Sequence, residues 1–513
     1  MRTMSNASGQ PLAGEPSSLW VATIEATEFS TLTGDIHVDV AVIGGGIAGL
    51  TTALSLKRAG RSVAVLEIGR VGTGVTGHTT GKVTSLHRLT YRDLWRHVGH
   101  DEARGYGQAN QFAIEHVASV VDGENIDCEF RRVDNYTYAE SSTGLDMVRE
   151  EVNIAQRLGL PASYVTATPL PFAVAGAIRF TDQAKIHAGR YVQGLARAVD
   201  GDGSHVFENT QALDVREGSP CVVTVEGGRV RARDVVVATN MPFLDRGAFF
   251  LRCHPQRSYL VAGRADSLNL DATFISVEEP LRSIMPTNVG DDTYLLIGGE
   301  GHRVSERGDT VARYQRLIDY ARTRFGIEDI AYRWSTQDAV PLDGMPYAGT
   351  ITPWSKHVYV ITGLKKWGLS NGTAAALIVA DEILDRPNPW AKLFNSNRLS
   401  LSASAGRFLH ENLLSAKQVI TTRLKSAPSR TELAPDTAGI FVINGEKVAV
   451  HKDIDGLVHA VSAICTHQGC TVDWNGADRT WDCPCHGSRF QPDGQVRQGP
   501  AAKELPRREV PGV

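Results

Sequence analysis

Long apolar runs, an excess of one charge and abundant cysteine are all missing from this chain of 513 residues. No stretch reaches the roughly 18 to 20 apolar residues that a membrane-spanning helix needs, and the first twenty residues lack the apolar core of a secretory signal. The 53 basic and 57 acidic side chains give a formal charge of −4, so no basic surplus indicates nucleic-acid binding. We therefore expect a cytoplasmic globular protein with two or three domains.

The seven cysteines are few, but four of them fall in one C-terminal segment together with two histidines. Cys465-Thr-His467 is followed, after fifteen residues, by Cys483-Pro-Cys485-His486. Two thiolates and two imidazoles in a C-x-H…C-x-x-H frame are typical of a Rieske [2Fe–2S] cluster, in which the cysteines bind one iron and the histidines the other. A structural zinc site with two Cys and two His ligands is the alternative. We predict Cys465, His467, Cys483 and His486 as the metal ligands.

The segments CTHQGC and CPCHGS closely resemble those of the Rieske proteins of cytochrome bc-type complexes. The resemblance implies a disulfide between Cys470 and Cys485 that clamps the two ligand loops. It also implies a hydrogen bond from the Ser488 hydroxyl to a cluster sulfide, which raises the reduction potential. Phe490 stands where many high-potential members have a tyrosine, so we expect a potential below the top of the Rieske range of about −150 to +300 mV. Gly499-Pro500-Ala501 resembles the proline loop that covers the cluster.

A second signal lies near the N-terminus, where a β-α-β pattern contains a glycine-rich turn. The predicted elements are a strand over Val38–Ile43, a helix over Ile47–Ala59 and a strand over Ser62–Leu66. The turn Gly44–Gly49 matches G-x-G-x-x-G, which allows a tight turn, close approach of a pyrophosphate and helix–strand packing. Glu67 ends the second strand, where a carboxylate accepts hydrogen bonds from a ribose. A glycine-rich turn with a surface glutamate is the plain alternative.

The dinucleotide is predicted to be FAD. The chain has one such fingerprint, because the glycines of Gly298–Gly301 end a strand without a convincing helix after them. A flavin takes two electrons and can release them one at a time, whereas a nicotinamide cannot. One dinucleotide and one iron–sulfur cluster therefore work as a pair only if the dinucleotide is a flavin.

From about Val38 to Pro389 the chain resembles the FAD-dependent D-amino-acid-oxidase-like family, which includes sarcosine, glycine and γ-glutamylputrescine oxidases. The resemblance rests on the segments VDVAVIGGGIAGL, RDVVVATNMP, LDGMPYAG and TGLKKWGLSNGTAAA. It implies an α/β (α+β) fold, in which a Rossmann-like FAD-binding domain carries an antiparallel substrate sheet and a small all-β Rieske domain follows. In this family the last segment passes under the flavin ring, where N–H groups near Gly368 and Leu369 would stabilise negative charge on the reduced ring.

Thr76-Gly-His78-Thr-Thr-Gly81 is similar to a segment of dimethylglycine and sarcosine dehydrogenases whose histidine is joined covalently to the flavin. The alternative is that His78 only lines the flavin site or hydrogen-bonds the backbone. The predicted FAD contacts are Gly44, Gly46, Ile47, Ala48, Gly49, Glu67, Thr76, His78, Thr79, Thr239, Gly363, Trp367, Gly368 and Leu369.

The predicted organisation has four parts. Residues 1–35 form an irregular arm, residues 36–394 the FAD-binding and substrate domain with discontinuous subdomains, residues 395–430 a linker with a helix near Leu413–Ile420, and residues 431–513 the Rieske domain.

The substrate side carries weaker signals, and we predict no catalytic residue. Arginines that could bind a substrate carboxylate, or be structural, are Arg252, Arg257, Arg282 and Arg303. His302 and Trp367 are candidates for the pocket wall, with core packing as the alternative. Lys365 and Lys366 lie near the flavin segment, although their position does not match the oxygen-activating lysine of some oxidases in the family.

The leading functional hypothesis is a dehydrogenase that oxidises an amine or amino-acid-like substrate at FAD and passes electrons singly through the Rieske cluster to an external acceptor. The alternative is an electron-transfer protein whose flavin is reduced by a protein partner. A Rieske oxygenase would need a mononuclear iron site; Asp93, His97 and His100 are the nearest group, and their spacing differs from that class.

Overall fold

The computed structural model describes residues 12–306, 308–398 and 433–510. The helix predicted near Leu413–Ile420 lies outside these residues. Two large sheets and two small ones organise the described chain, which confirms the predicted α/β (α+β) class with an all-β C-terminal part.

The helices lie mainly around the first large sheet. Their bounds are α1 (Leu19–Ala22), α2 (Ile47–Arg58), α3 (Thr90–His97), α4 (His100–Gly123), α5 (Ser142–Arg157), α6 (Ala188–Val199), α7 (Phe249–Arg252), α8 (Thr310–Phe325), α9 (Gly368–Ile383) and α10 (Ala391–Phe394), with 3₁₀ turns at Val75–His78 and Arg246–Ala248. Within the described ranges, no helix has the length and apolar character to cross a bilayer.

The strands of the described chain are numbered in chain order. Their bounds are β1 (Gly34–Ile43), β2 (Val63–Leu66), β3 (Lys82–Val83), β4 (Arg131–Ala139), β5 (Ala162–Val165), β6 (Gly176–Lys185), β7 (His205–Phe207), β8 (Ala212–Arg216), β9 (Cys221–Val225), β10 (Gly228–Val237), β11 (Cys253–Arg264), β12 (Ala272–Ser276), β13 (Arg282–Val289), β14 (Asp292–Arg303), β15 (Ile330–Pro341), β16 (Tyr347–Thr350), β17 (Val358–Thr362), β18 (Thr437–Ile443), β19 (Glu446–Lys452), β20 (Val458–Ser462), β21 (Asp473–Asn475), β22 (Thr480–Asp482), β23 (Arg489–Phe490) and β24 (Val496–Gln498).

The first sheet has the order β16-β17-β10-β1-β2-β7, with β8 and β9 attached beside β10. Strands β17, β10, β1, β2 and β7 run parallel to one another, whereas β16 pairs antiparallel with β17. The ends of β1 and β2 are runs of buried Val, Ala, Ile and Leu, as expected for strands covered on both faces. Helices α2 and α9 pack against each other over this sheet. This arrangement confirms the Rossmann-like prediction, and α2 ends one residue before the predicted boundary.

The second sheet has the order β15-β11-β14-β13-β12-β4-β6-β3, with β5 beside β6. Its strands pair antiparallel except at β12 and β4, which run parallel. Alternating buried and partly exposed residues along β15 and the first half of β11 fit strands with one face against the core. The sheet therefore matches the predicted antiparallel substrate layer.

The C-terminal module consists of the sheets β18-β19-β20 and β21-β22-β23-β24. Its small core gathers Trp481, Phe490 and Leu505 around buried cysteines. A core of this size gains stability from a disulfide or a metal, because it buries little apolar surface by itself.

The N-terminal arm is partly folded in its described portion. Trp20 of α1 is fully buried, and its indole Nε1 donates to the carbonyl of Thr79 over 2.7 Å. The arm therefore packs against a segment predicted to contact FAD.

Candidate functional site

A cavity of about 1000 Å³ lies at the carboxyl ends of β1, β2 and β10, the edge at which open parallel sheets bind ligands. The second sheet and the C-terminal module complete its wall. Of the predicted FAD contacts, all except Gly49 and Gly363 line this cavity: Gly44, Gly46, Ile47, Ala48, Glu67, Thr76, His78, Thr79, Thr239, Trp367, Gly368 and Leu369. The structure thus brings together residues that span more than 300 positions of the chain. Their contact with FAD stays a prediction.

The glycine turn between β1 and α2 requires glycine at its two ends. Gly44 has φ +114°, and a Cβ there would lie 2.6 Å from the carbonyl oxygen of Ala238. A Cβ on Gly49 would lie 1.9 Å from the carbonyl oxygen of Gly44. Gly49 therefore serves helix–strand packing rather than the cavity wall, and the N-terminus of α2 can face a pyrophosphate.

Glu67 closes this end of the cavity. Its Oε2 accepts from the N–H of Gly45 over 2.7 Å, and its Oε1 accepts from the N–H of Gly69 over 3.0 Å. Burial raises the pKa of Glu67, while the two N–H donors act in the opposite direction. Each carboxylate oxygen keeps a second lone pair, so the group can still accept from ribose hydroxyls.

The 3₁₀ turn at Val75–His78 forms a second wall. The Thr76 hydroxyl accepts from the N–H of Ile47 over 3.1 Å, which ties this turn to the start of α2. His78 Nδ1 lies 2.8 Å from the carbonyl oxygen of Gly74 and must donate to it. Burial lowers the pKa of His78 to about 4, so the ring is neutral with Nε2 as the acceptor nitrogen. A covalent bond between His78 and FAD stays a prediction.

Trp367 lies at the start of α9, on the side of the cavity that faces the second sheet. Its ring stacks on His87 with a centroid distance of 4.5 Å and an interplanar angle of 18°. His87 is buried, and burial lowers its pKa to about 3. The sequence offered no signal for His87, because its partners come from distant segments: Tyr106 hydroxyl at 2.6 Å and Ser370 hydroxyl at 3.0 Å.

A cluster of polar side chains lines the part of the cavity that the second sheet forms. Lys366 Nζ donates to the Ser258 hydroxyl over 3.1 Å. Asp338 lines the same cavity; burial raises its pKa to about 6, and the nearby Lys366 opposes the shift. Burial lowers the pKa of Lys366. Together these groups can bind a substrate that carries both an amine and a carboxylate.

Two of the candidate arginines have structural partners instead. Arg282 Nη2 pairs with the buried Glu300 over 2.8 Å, and Arg257 pairs with Asp482 of the C-terminal module. His302 stacks on Tyr259 and bonds its hydroxyl over 3.1 Å. Of the two candidates for the pocket wall, Trp367 itself lines the cavity.

The four predicted cluster ligands converge at one end of the C-terminal module. Cys465 and Cys483 are both buried in the small core of this module, and the rings of His467 and His486 lie 5.1 Å apart between centroids. Within the described residues, Nδ1 of each histidine is buried without a hydrogen-bond partner. Burial also lowers the pKa of His486 to about 4, which favours the neutral, metal-binding ring. Two soft sulfurs and two unpaired ring nitrogens fit a Rieske cluster.

Cys470 and Cys485 form a disulfide, the pairing that the resemblance implied. The sulfurs of these two residues and of Cys483 lie within 4.8 Å of one another, but the bonded pair leaves only the Cys483 thiol for a metal. Asp93, His97 and His100 form no group within ligand distance in the described part of the chain, and His100 instead bonds its neighbour Asp101 over 3.0 Å.

The two histidines predicted as cluster ligands face the flavin-binding part of the chain. Asp245, in the segment after β10, lies 3.0 Å through Oδ1 from Nε2 of His467. The Phe250 ring packs at 5.7 Å from the His467 ring and at 5.1 Å from the His486 ring. A carboxylate on the second nitrogen of a metal-binding histidine fixes its tautomer and orientation. No pattern in the sequence indicated these contacts, because they join segments more than 200 residues apart.

A buried polar network holds the two parts together. Arg257 of β11 pairs with Asp482 and donates through Nη2 to Gln337 Oε1 over 2.8 Å. Gln337 Nε2 donates in turn to the carbonyl of Gly487 over 2.7 Å. Burial would raise the pKa of Asp482, but Arg257 and Arg489 outweigh it and hold that pKa below its usual range.

Comparison with known families agrees with both halves of this architecture. The family described as FAD dependent oxidoreductase (DAO) matches residues 39–382, and the Rieske [2Fe-2S] domain matches residues 425–509. The chain belongs to the DAO family of FAD-dependent oxidoreductases and carries a C-terminal Rieske domain. Its cofactors are accordingly FAD and a Rieske [2Fe–2S] cluster.

Individual relatives match one or both halves. The "Putative Rieske 2Fe-2S iron-sulfur protein YhfW" of Bacillus subtilis is 33% identical over 493 residues, which cover 96% of this chain and 97% of that protein. The gamma-glutamylputrescine oxidoreductase of Escherichia coli is 26% identical and covers 69% of this chain and 85% of its own. The glycine oxidase of Geobacillus kaustophilus shares the fold, with a TM-score of 0.61 and 22% identity over 71% of this chain and 99% of its own.

Proposed function

We propose that this protein oxidises an amine or amino-acid-like substrate in the cavity and passes the electrons one at a time through the Rieske cluster to an external acceptor. FAD supplies the two-electron oxidation of a C–H bond next to nitrogen and the release of single electrons. The chain's own residues bind and orient the substrate, exclude water and connect the cavity with the cluster ligands.

The main support for the proposal is the loop after β24, which lines the cavity and is hydrogen-bonded to the segment of the predicted cluster ligands. Ala501 lines the cavity, and its N–H donates to the Ser488 hydroxyl over 3.0 Å. The carbonyl of Ser488 accepts from the N–H of Cys483, a predicted ligand, over 2.8 Å. Two hydrogen bonds therefore connect the cavity wall with a cluster ligand.

The polar groups near Lys366 support an amine substrate with an acidic group. A neutral amine is the reactive form, and Asp338 in its ionised form can hold the ammonium on entry. Lys366 offers its ammonium to a carboxylate. These side chains position the substrate, since hydride transfer depends on alignment more than on a protein base.

An anaerobic experiment tests the proposal. The holoprotein is mixed with a panel of amines and amino acids while flavin absorbance and the EPR signal of the reduced cluster are followed together. We expect one class of compounds to bleach the flavin first and to produce the cluster signal afterwards. Bleaching by a reduced ferredoxin or flavodoxin, with none of the amines active, would instead favour an electron-transfer protein reduced by a partner.

The same holoprotein decides the question of His78. After denaturation, yellow colour that precipitates with the chain would establish a covalent flavin. Free FAD in the supernatant would establish that His78 only lines the site.

A further inference from the structure

The outer wall of the flavin cavity belongs to the Rieske module. Gly44, Glu67 and Thr239 line one side of the cavity. Residues of β23, of β24 and of the loop after β24 close another side. These residues are Arg489, Val496, Arg497, Gln498, Gly499, Ala501 and Ala502. The module therefore does more than carry the cluster next to the flavin domain.

The loop that follows β24 is attached to the edge of the parallel sheet. Gln211, which follows β7 and lines the cavity, donates through Nε2 to the carbonyl of Ala502 over 2.8 Å. A Cβ placed on Gly499 would lie 4.0 Å from the carbonyl oxygen of Met241, just beyond β10. The loop thus spans the ends of β7 and β10, across the crevice where a dinucleotide binds in such sheets.

Arg497 is a cation of this wall without a partner. Within residues 12–306, 308–398 and 433–510, its guanidinium makes no hydrogen bond or ion pair, whereas the neighbouring Arg489 binds Asp478, Thr480 and Asp482. The Arg497 side chain is exposed and lines the cavity. Surrounding protein and the charge of Arg489 lower the pKa of Arg497 against the opposing charges of Asp478 and Asp482, and the charge of Arg497 also lowers the pKa of His78. A guanidinium without an ion pair on the wall of a cavity favours an anionic ligand.

We propose that the Rieske module is part of the FAD-binding site, in which β24 and the loop that follows it, residues 496–502, close the crevice and Arg497 binds an anionic group of the cofactor. FAD is then held between two modules, and its retention depends on their docking. This inference does not depend on the amine substrate, because it concerns binding of the cofactor alone. A chain that binds FAD in this way and is not bleached by any amine would overturn only the proposed function.

Substitution of Arg497 in the full-length protein tests the cationic contact. Arg497→Ala, Arg497→Lys and the control Arg508→Ala are made in a His78→Ala background, which cannot bond the flavin covalently, and are compared with the protein that carries His78→Ala alone. Each is stripped of flavin and titrated with FAD, with flavin fluorescence as the readout. Arg508 lies in the same module and pairs with the exposed Glu446 over 2.8 Å. We expect Arg497→Ala to raise the Kd for FAD at least tenfold, Arg497→Lys to retain most of the affinity and Arg508→Ala to match the protein with His78→Ala alone. A Kd for Arg497→Ala within twofold of the value for His78→Ala alone overturns the contact.

The midpoint potential of the flavin then identifies the anionic group. If Arg497 binds the pyrophosphate, oxidised and reduced FAD lose affinity equally and the potential is unchanged. If Arg497 lies near the ring, Arg497→Ala lowers the potential because the negative charge of the reduced flavin loses its partner. Iron content and the EPR signal of the reduced cluster must stay unchanged in either case.

Substitution of Arg257 tests closure by docking. Arg257→Ala removes a buried ion pair with Asp482. The control Arg264→Ala, at another position of β11, removes an exposed ion pair with Asp292. We expect Arg257→Ala to speed the dissociation of FAD at least fivefold and Arg264→Ala to leave the rate unchanged. An Arg257→Ala protein that trypsin cleaves between the modules, but that releases FAD at the unsubstituted rate, would refute closure by the loop.

Discussion

The backbone N–H of Ala501 donates a hydrogen bond to the hydroxyl oxygen of Ser488 over 3.0 Å, so one serine connects the core of the Rieske module with the wall of the flavin cavity. Ser488 is fully buried, and its carbonyl accepts from the N–H of the predicted ligand Cys483 over 2.8 Å. The hydroxyl thus anchors the loop through Ala501, and the resemblance implies a second hydrogen bond from the same hydroxyl to a cluster sulfide.

We expect Ser488→Ala to lower the midpoint potential of the cluster by about 40 to 60 mV, because one hydrogen bond of about 1 kcal/mol that favours the reduced state is lost. Redox titration followed by EPR measures the shift. The control is Ser462→Ala, in which the lost hydroxyl accepts only from a backbone N–H, that of Ile464. Equal potentials for Ser488→Ala and the unsubstituted protein would exclude the proposed hydrogen bond to the cluster.

The sequence predicted the parts of the fold that depend on short-range patterns. The turn Gly44–Gly49 and the ligand segments around Cys465 and Cys483 each lie within a few residues, where spacing alone indicates geometry. Contacts between the modules depend on which surfaces meet, and a single sequence does not encode that in any local pattern. Arg257 illustrates the difference: it was a candidate for binding a substrate carboxylate, and the structure pairs it with Asp482, 225 positions away.

That ion pair leads to a prediction about stability. Arg257 has a side chain only 4% exposed, so its removal leaves the buried Asp482 with Arg489 as its remaining cation. We expect Arg257→Ala to lower the free energy of unfolding by about 3 kcal/mol, the cost of breaking a buried pair. The exposed pair of Arg264 with Asp292 provides the matched control, and Arg264→Ala should cost less than about 1 kcal/mol. Urea unfolding followed by cluster absorbance measures both, and equal losses would contradict a structural role specific to Arg257.

Asp338 leads to a prediction about pH. Burial raises its pKa to about 6, so this side chain changes from neutral to ionised across the range from pH 5 to pH 7. Its negative charge then favours an ammonium substrate, and we expect the Kd of a bleaching amine to fall about tenfold over this range. Asp338→Asn should flatten the profile without preventing flavin reduction. Anaerobic bleaching at several pH values gives the Kd, and a profile that is unchanged in Asp338→Asn would show that another group titrates.

Lys82 of β3 makes the free energy of unfolding depend on pH above pH 7. Its Nζ is buried and hydrogen-bonds the carbonyl of Phe274 over 2.6 Å and the hydroxyl of Ser283 over 2.7 Å. Burial lowers its pKa to about 7 from the ordinary value of 10.5. Between these two values the unfolded chain binds a proton that the folded chain does not, so the free energy of unfolding rises with pH by up to about 1.4 kcal/mol per unit. Below pH 7 both states are protonated, and the full cost of burying the charge is present.

Lys82→Met removes the titrating group and tests this sign. Urea unfolding at pH 7, 8 and 9 should show a rise in stability for the unsubstituted protein and a smaller rise for Lys82→Met. Lys392→Met, at an exposed position of α10, is the control and should follow the unsubstituted protein. If Lys82→Met and the unsubstituted protein gain stability in parallel, Lys82 keeps its proton in the folded state, and Phe274 and Ser283 then bind a buried ammonium.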